Sequence, residues 1–327
     1  MWNKDFFYNH MKFSGSLPEM LFNYVTAKQL AGFKYDKQGR ILMRFLNASF
    51  LNGYPTSYLS QEAVNAWCAK TPNETDSNHY LRVKVVDSFV HHLLEQGAQA
   101  SIPELPKYRV SSFVPYILTR EQIKRIFEAA DALPRAHNSP NKHIVFPLLF
   151  RMLYGCGLRV SEALRLRIED VDLANGVLTI LETKGNKDRL VPMHPSLTEY
   201  CKKYVAVLHE LGNPEDSFFP SPSGTSYSPE LAYMVWRTVL HKAGISHGGR
   251  GQGPRLHDLR HTYAVHCLQG FMSEKSDPTS VLPYLSAYLG HVGLSSTQDY
   301  LRLVPEMYPD IIDLLDQHFG SAKEVQL

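Results

Sequence analysis

Cysteine is scarce in this chain, and the few present are scattered. Cys68, Cys156, Cys201 and Cys267 form no C-x-x-C pair, so their spacing supports neither a disulfide framework nor a zinc ribbon. Three of the four sit among apolar neighbours and read as reduced core thiols of a cytoplasmic protein. No apolar run reaches the roughly 18 residues of a membrane span. The start, Met1-Trp2-Asn3-Lys4-Asp5, lacks the apolar core of a signal peptide. The glycine-rich stretch Gly248-Gly249-Arg250-Gly251-Gln252-Gly253 has no Gly-Lys-Ser/Thr and follows no clear strand. It is therefore neither a P-loop nor a dinucleotide fingerprint, and reads as a flexible basic loop.

Net charge is also small, +2 over 327 residues, but it is unevenly spread. Residues 237–260 carry Arg237, Lys242, Arg250, Arg255 and Arg260 against the single acid Asp258, whereas residues 271–327 carry three basic and eight acidic residues. A basic band beside an acidic tail can hold a polyanion locally while the total stays near zero.

The chain is long enough for two domains. Residues 1–100 show helical spacing throughout, over 16–33, 38–52, 60–70 and 77–96, with Ser16-x-x-Glu19 predicting a capping box at the first of these. Residues 101–118 carry Pro103, Pro106 and Pro115 and read as an extended linker. The second domain, 119–327, opens with another capping box, Thr119-x-x-Gln122, followed by a buried apolar helix over His143–Tyr154 and a helix over 160–168. Alternation over 176–193 around Lys184-Gly185-Asn186-Lys187 predicts a β-hairpin. Helices follow over 195–211, 229–243, 257–270 and 280–289, and an amphipathic tail helix over about 308–320. The fold class is mainly α with one small β-sheet.

Against this layout six residues stand out: Arg159, Lys184, His257, Arg260, His291 and Tyr300. They supply two guanidiniums, an amine, two imidazoles and a phenol, without paired carboxylates, and this set suits a phosphate. Arg159 enters a helix after Gly155-Cys156-Gly157, where backbone amides and the helix dipole favour an anion. Glu162, one turn on, is placed to orient its guanidinium. Lys184 lies at the hairpin tip. His257, Arg260 and His261 share one helix face. Their spacing resembles the zinc motif H-E-x-x-H, but an arginine lies between the histidines and no third ligand is evident, so a phosphate-binding face is favoured over a metal site. Tyr300 is one of 18 tyrosines, and by itself carries no signal, since a phenol of ordinary pKa about 10 needs help to act as a nucleophile.

The ordered motifs Gly157-Leu158-Arg159-Val160-Ser161-Glu162, Thr183-Lys184-Gly185, His257-Asp258-Leu259-Arg260-His261-Thr262, Leu289-Gly290-His291 and Asp299-Tyr300 resemble the tyrosine recombinase (phage integrase) family over about residues 119–305. The short two-domain layout is similar to the recombinases of chromosome resolution (Xer), integrons and transposons. The resemblance implies a helical, SAM-like core-binding domain at 1–100 and a catalytic domain at 119–327. It implies a site-specific DNA recombinase that cleaves and rejoins strands through a 3′-phosphotyrosyl intermediate and a Holliday junction, in integration, excision or transposition of a mobile element.

In that pattern Arg159 and Arg260 clamp the scissile phosphate, Tyr300 attacks it and Lys184 protonates the leaving 5′-oxygen. His257 carries a proton, His291 hydrogen-bonds the phosphate and Glu162 supports. Arg237, Arg250, Arg255 and Lys187 are candidate DNA contacts. The family needs no metal or other cofactor. The implied partner is double-stranded DNA, bound by a homotetramer that is monomeric in solution, with no membrane association. The chain departs from the family in the polar insert Ser273-Glu274-Lys275-Ser276-Asp277-Pro278 before His291, and in Leu301-Arg302 where many members place a histidine. Two other outcomes use the same scaffold: a type IB topoisomerase-like relaxing enzyme, and a non-catalytic DNA-binding accessory protein.

Overall fold

The computed structural model describes residues 2–108, 114–181, 188–209, 212–249, 253–273 and 278–290, with Thr297, Tyr300 and Leu303. The chain divides into two compact units, Met1–Phe113 and Val114–Leu327. The tail over 308–320 and residues 274–277 of the insert lie outside the described residues.

The first unit is helical: α1 (Lys4–His10), α2 (Ser16–Leu30), α3 (Asp36–Leu51), α4 (Gln61–Cys68) and α5 (Asp76–Glu95). Leu42, Phe45, Leu46 and Ser49 repeat at helical spacing on α3 and are buried against Leu21 and Val25 of α2 and Phe89 and Leu93 of α5. Ser60 and Thr75 cap α4 and α5 by accepting the amides of Ala63 and Asn78. The capping box expected at Ser16 is absent. Gly15, at φ 137°, occupies the N-cap with no side-chain bond, and Ser16 is already helical. The Glu19 amide, which the box would use, instead donates to the Gly15 carbonyl at 3.4 Å as a helical bond. Helix α1 was not anticipated; at 7 residues it is too short to show a period.

The second unit carries the capping box expected at Thr119, whose hydroxyl accepts the Gln122 amide while Gln122 accepts the Thr119 amide. It comprises α6 (Arg120–Asp131), α7 (Lys142–Gly155), α8 (Val160–Arg165), a 3-10 turn at Ile168–Asp170, β1 (Val171–Asp172), β2 (Val177–Ile180), β3 (Arg189–Pro192), α9 (Pro195–Leu208), α10 (Pro229–Lys242), α11 (Asp258–Ser273) and α12 (Pro278–Leu289). Helix α7 is apolar all round because it is central: Phe146, Leu149, Phe150 and Leu153 are buried where α6, α9 and α11 pack on it. The three strands form one antiparallel sheet in the order β1-β2-β3, with Ile180 opposite Arg189 and Leu178 opposite Val191.

The hairpin predicted over 176–193 is therefore present as β2 and β3, although its tip, residues 182–187, lies outside the described residues. Strand β1 was not foreseen, since two residues carry no alternation. On β3 the inward phase does not follow apolarity. Leu190 is 66% exposed, while Arg189 and Val191 face inward. No helix among the described residues is long and apolar enough to cross a membrane.

Trp236 of α10 ties this unit together. It is 1% exposed, meets Phe150 of α7 edge-on, and its indole N–H donates to the Pro254 carbonyl at 3.0 Å. Trp236→Ala should destabilise the unit by about 3–5 kcal/mol, because it leaves both a cavity and an unpaired carbonyl. Urea unfolding followed by far-UV circular dichroism measures the loss.

Candidate active site

The site is built on two glycines and the end of a helix. Buried Cys156 leads the chain out of α7 into Gly157, at φ 59°. A Cβ there would lie 2.7 Å from Tyr263 and 2.8 Å from Leu289, so only glycine fits. The Gly157 carbonyl is thereby brought to Arg260, whose Nη1 donates to it at 2.8 Å.

Arg159 is the N-cap of α8, in extended conformation. An arginine cannot accept the free amides of a helix start, and Glu162 reaches back instead. Its Oε2 accepts the Arg159 amide at 2.9 Å and its Oε1 accepts Arg159 Nη1 at 2.6 Å. The anion drawn to this helix start is the protein's own carboxylate.

Glu162 holds more than Arg159. Arg189 of β3 grips it fork to fork, Nη2 to Oε2 at 2.9 Å and Nη1 to Oε1 at 3.2 Å. Arg260 Nη1 lies 3.8 Å from Oε2. All three arginines also meet the C-terminal end of α12, where carbonyls lack helical partners and the dipole is negative. Arg189 Nε donates to the Tyr288 carbonyl at 2.9 Å, Arg260 Nη2 to that of Leu289 at 2.6 Å, and Arg159 Nη2 to that of Gly290 at 3.1 Å. Gly290, at φ 67°, closes the helix in the left-handed region, and a Cβ there would come within 2.9 Å of Arg189.

These contacts set the charges. Burial would raise the Glu162 pKa, but Arg189, the Arg159 amide and the Arg159 guanidinium outweigh it and hold it at about 2. Arg260 is 2% exposed. Burial, and then the neighbouring Arg159, push it down to about 10, which leaves it charged at neutral pH. His257 is lowered to about 4, chiefly by burial, then by His261 and Arg260, and is therefore neutral at pH 7.

Tyr300 is 4% exposed and packs with Ala264, Leu268, Leu282 and Leu289 between α11 and α12. Its hydroxyl is 3.0 Å from His261 Nδ1. His261 in turn meets His257 edge-on, with ring centroids 4.8 Å apart. The helix face predicted at 257, 260 and 261 therefore divides its work. Arg260 points to the Gly157 and Leu289 carbonyls, His261 to the phenol, and His257 flanks His261.

Of the predicted residues, the structure brings Arg159, Glu162, Arg260, His257 and Tyr300 into one region. Lys184 and His291 lie outside the described residues, as do Lys187 and Arg250. Arg255 is tied to Asp258, with its amide at 2.7 Å and its Nη2 at 3.1 Å, and Arg237 is exposed on α10. Two residues were missed. Arg189 is legible in the sequence only as a polar residue in phase with Val191, and His261 only as a member of the phosphate-binding face, with no sign of its contact to the Tyr300 phenol. Together two guanidiniums with a shared carbonyl platform, two imidazoles and a phenol can bind a phosphate and move a proton from the phenol.

A model of the phage integrase family matches residues 117–307. The Sinorhizobium fredii protein y4rB, which carries the name integrase/recombinase, is 30% identical over 303 residues, covering 90% of this chain and 96% of y4rB. Tyrosine recombinase XerA of Pyrococcus furiosus is 27% identical over 93% of this chain and 97% of its own. Among solved structures, a lambda integrase tetramer bound to a Holliday junction shares the fold with a TM-score of 0.58 at 17% identity, covering 86% of this chain and 78% of that chain.

The lowered His257 and Glu162 pKa values predict the pH dependence of folding. In both cases the folded pKa is depressed, so the unfolded chain binds more protons and stability is lost as pH falls. His257 contributes above its ordinary 6.5 and loses that contribution down to about 4, and Glu162 does so from 4.5 down to about 2. Urea midpoints measured from pH 8 to pH 4 should fall below about pH 6.5, and His257→Gln should flatten that part of the curve.

Proposed function

Since the chain belongs to the phage integrase family and is a tyrosine-type site-specific recombinase, we propose that Arg159, Arg260 and Tyr300 perform its strand cleavage on double-stranded DNA. The observation that carries this reading is the pairing of Arg159 and Arg260 on the adjacent carbonyls of Gly290 and Leu289, with the Tyr300 phenol near enough to Arg260 to act on its charge.

The two guanidiniums hold the non-bridging oxygens of the scissile phosphate and stabilise the charge that grows there. The Tyr300 oxygen attacks phosphorus, the bond to the 5′-oxygen breaks, and a 3′-phosphotyrosyl link remains. The phenol proton passes to an imidazole: His261 lies at hydrogen-bond distance, and His257, neutral at pH 7, is its neighbour. Lys184 supplies the proton to the leaving 5′-oxygen, and His291 hydrogen-bonds the phosphate. Attack by the 5′-hydroxyl of a second strand reverses the step, and two rounds pass through a Holliday junction.

The remaining assignments follow from the same reading. Residues 1–100 are the core-binding domain, 101–118 the linker and 119–327 the catalytic domain, a division supported by the two compact units Met1–Phe113 and Val114–Leu327. Exposed Arg237, together with Lys187, Arg250 and Arg255, contacts the DNA backbone. Four copies act on paired sites, as in the lambda integrase tetramer on a Holliday junction, and the chain is monomeric in solution and cytoplasmic. The exchange serves integration, excision or transposition of a mobile element.

Tyr300→Phe should bind DNA but form no covalent adduct on a nicked suicide duplex. An adduct formed by that variant overturns the assignment. Arg260→Ala should slow cleavage by about 10²–10³-fold while weakening DNA binding far less, as measured by single-turnover cleavage and by mobility shift. Exchange between two DNA sites, beyond relaxation of one plasmid, separates recombination from a topoisomerase outcome.

A further inference from the structure

We infer that Arg189 is a positioning residue that sets the charge of the cleavage site: by taking up the Glu162 carboxylate, it leaves the charges of Arg159 and Arg260 available to the phosphate. This rests on the reading of those two arginines as the phosphate clamp.

Three features carry the inference. Arg189 is not itself a phosphate contact, because its side chain is 9% exposed and every nitrogen of its fork is engaged, two on Glu162 and Nε on the Tyr288 carbonyl. Glu162 needs a partner other than the clamp. It lies 2.6 Å from Arg159 and 3.8 Å from Arg260, and an uncompensated carboxylate there would cancel part of the field that binds a phosphate. The charge count also fits the reaction. Three guanidiniums against one carboxylate leave a surplus of two positive charges. A phosphodiester carries one negative charge and acquires a second as the deprotonated Tyr300 oxygen adds to phosphorus. The Tyr300–phosphorus bond forms, the phosphorus–5′-oxygen bond breaks, and the second charge leaves with that oxygen, which takes a proton. Without Arg189 the surplus falls to one, matching the ground state and no longer the transition state.

Arg189 also joins the elements that bear the other participants. It anchors β3, which follows the Lys184 hairpin tip, to the last turn of α12, which leads to His291. The close approach of Gly290 keeps this joint tight.

The test uses the full chain and a nicked suicide duplex made from the DNA recovered with Tyr300→Phe protein, with covalent complex followed in single turnover. Arg189→Met should slow its formation about 10–100-fold, the usual cost of losing a group that holds a charged site residue in place. Arg189→Lys, which keeps the charge but not the fork, should lose less. The decisive variant combines Arg189→Met with Glu162→Gln. It removes the Arg189–Glu162 pair together, which a fold tolerates better than removal of one partner, keeps an amide oxygen where Arg159 bonds Glu162, and restores the surplus of two. It should recover most of the rate lost in Arg189→Met, to within about tenfold of wild type. Because a lost structural contact would also be eased by removing both partners, urea midpoints are measured alongside: a rate that merely follows the midpoint through the three proteins overturns the inference, as does a double variant as slow as Arg189→Met or an unchanged rate in Arg189→Met. If Arg189→Met is unfolded by circular dichroism, the double variant decides alone. Within about tenfold of wild type it supports the inference, and slower than that it overturns it. A wild-type chain that forms no complex through Tyr300 overturns the clamp reading itself, and this is seen before any Arg189 variant is compared.

Discussion

The buried carboxylate of Glu162 is the constraint on which the rest of this site depends. An ionised carboxylate removed from water is unstable unless paired and hydrogen-bonded. Here it has one arginine fork, a single bond from a second guanidinium and a backbone amide, and a third guanidinium lies at 3.8 Å. At an effective dielectric of about 20, a charge pair about 4 Å apart is worth ~4 kcal/mol, so none of these groups can leave independently. Three segments far apart in sequence, the start of α8, the start of β3 and the first turn of α11, are thereby held around one side chain.

The end of α12 supplies the other half of the constraint. Guanidiniums in close company repel one another, and Arg159 lowers the Arg260 pKa for that reason. The carbonyls of Tyr288, Leu289 and Gly290 offset the repulsion, because a helix C-terminus offers lone pairs and a negative dipole end at the same place. Gly157 and Gly290 permit the approach. Each takes a positive φ, and at each a Cβ would collide with a neighbour within 3 Å. The glycines of Gly157-Leu158-Arg159 and Leu289-Gly290-His291 are thus steric requirements of the arginine cluster.

Much of this was legible along the chain, for identifiable reasons. Helix α7 was readable because a central helix must be apolar all round, and α6 because Thr119 and Gln122 are a local signal complete within four residues. The hairpin was readable from its alternation, but its phase was not. Leu190 is apolar yet exposed, and Arg189 is charged yet turned inward, because β3 packs an ion pair where an ordinary strand packs a hydrocarbon. The cap at Ser16 misled because the helix begins one residue before the motif places it, with Gly15 at the N-cap. The role of His261 was not legible because its partner, Tyr300, is 39 residues away.

The sequence by itself determined the chemistry available: which residues bear a guanidinium, an imidazole or a phenol, in what order, and on helices or strands of what period. These properties are local, since capping, alternation and helical spacing are decided within a turn or two. Only the tertiary structure decided which groups meet. The pairing of Glu162 with Arg189, 27 residues apart, and of Arg260 with Gly157, 103 residues apart, leaves no local pattern. Such contacts form because a charge buried by the packing of α7, α11 and α12 must find its partner wherever the fold has placed one.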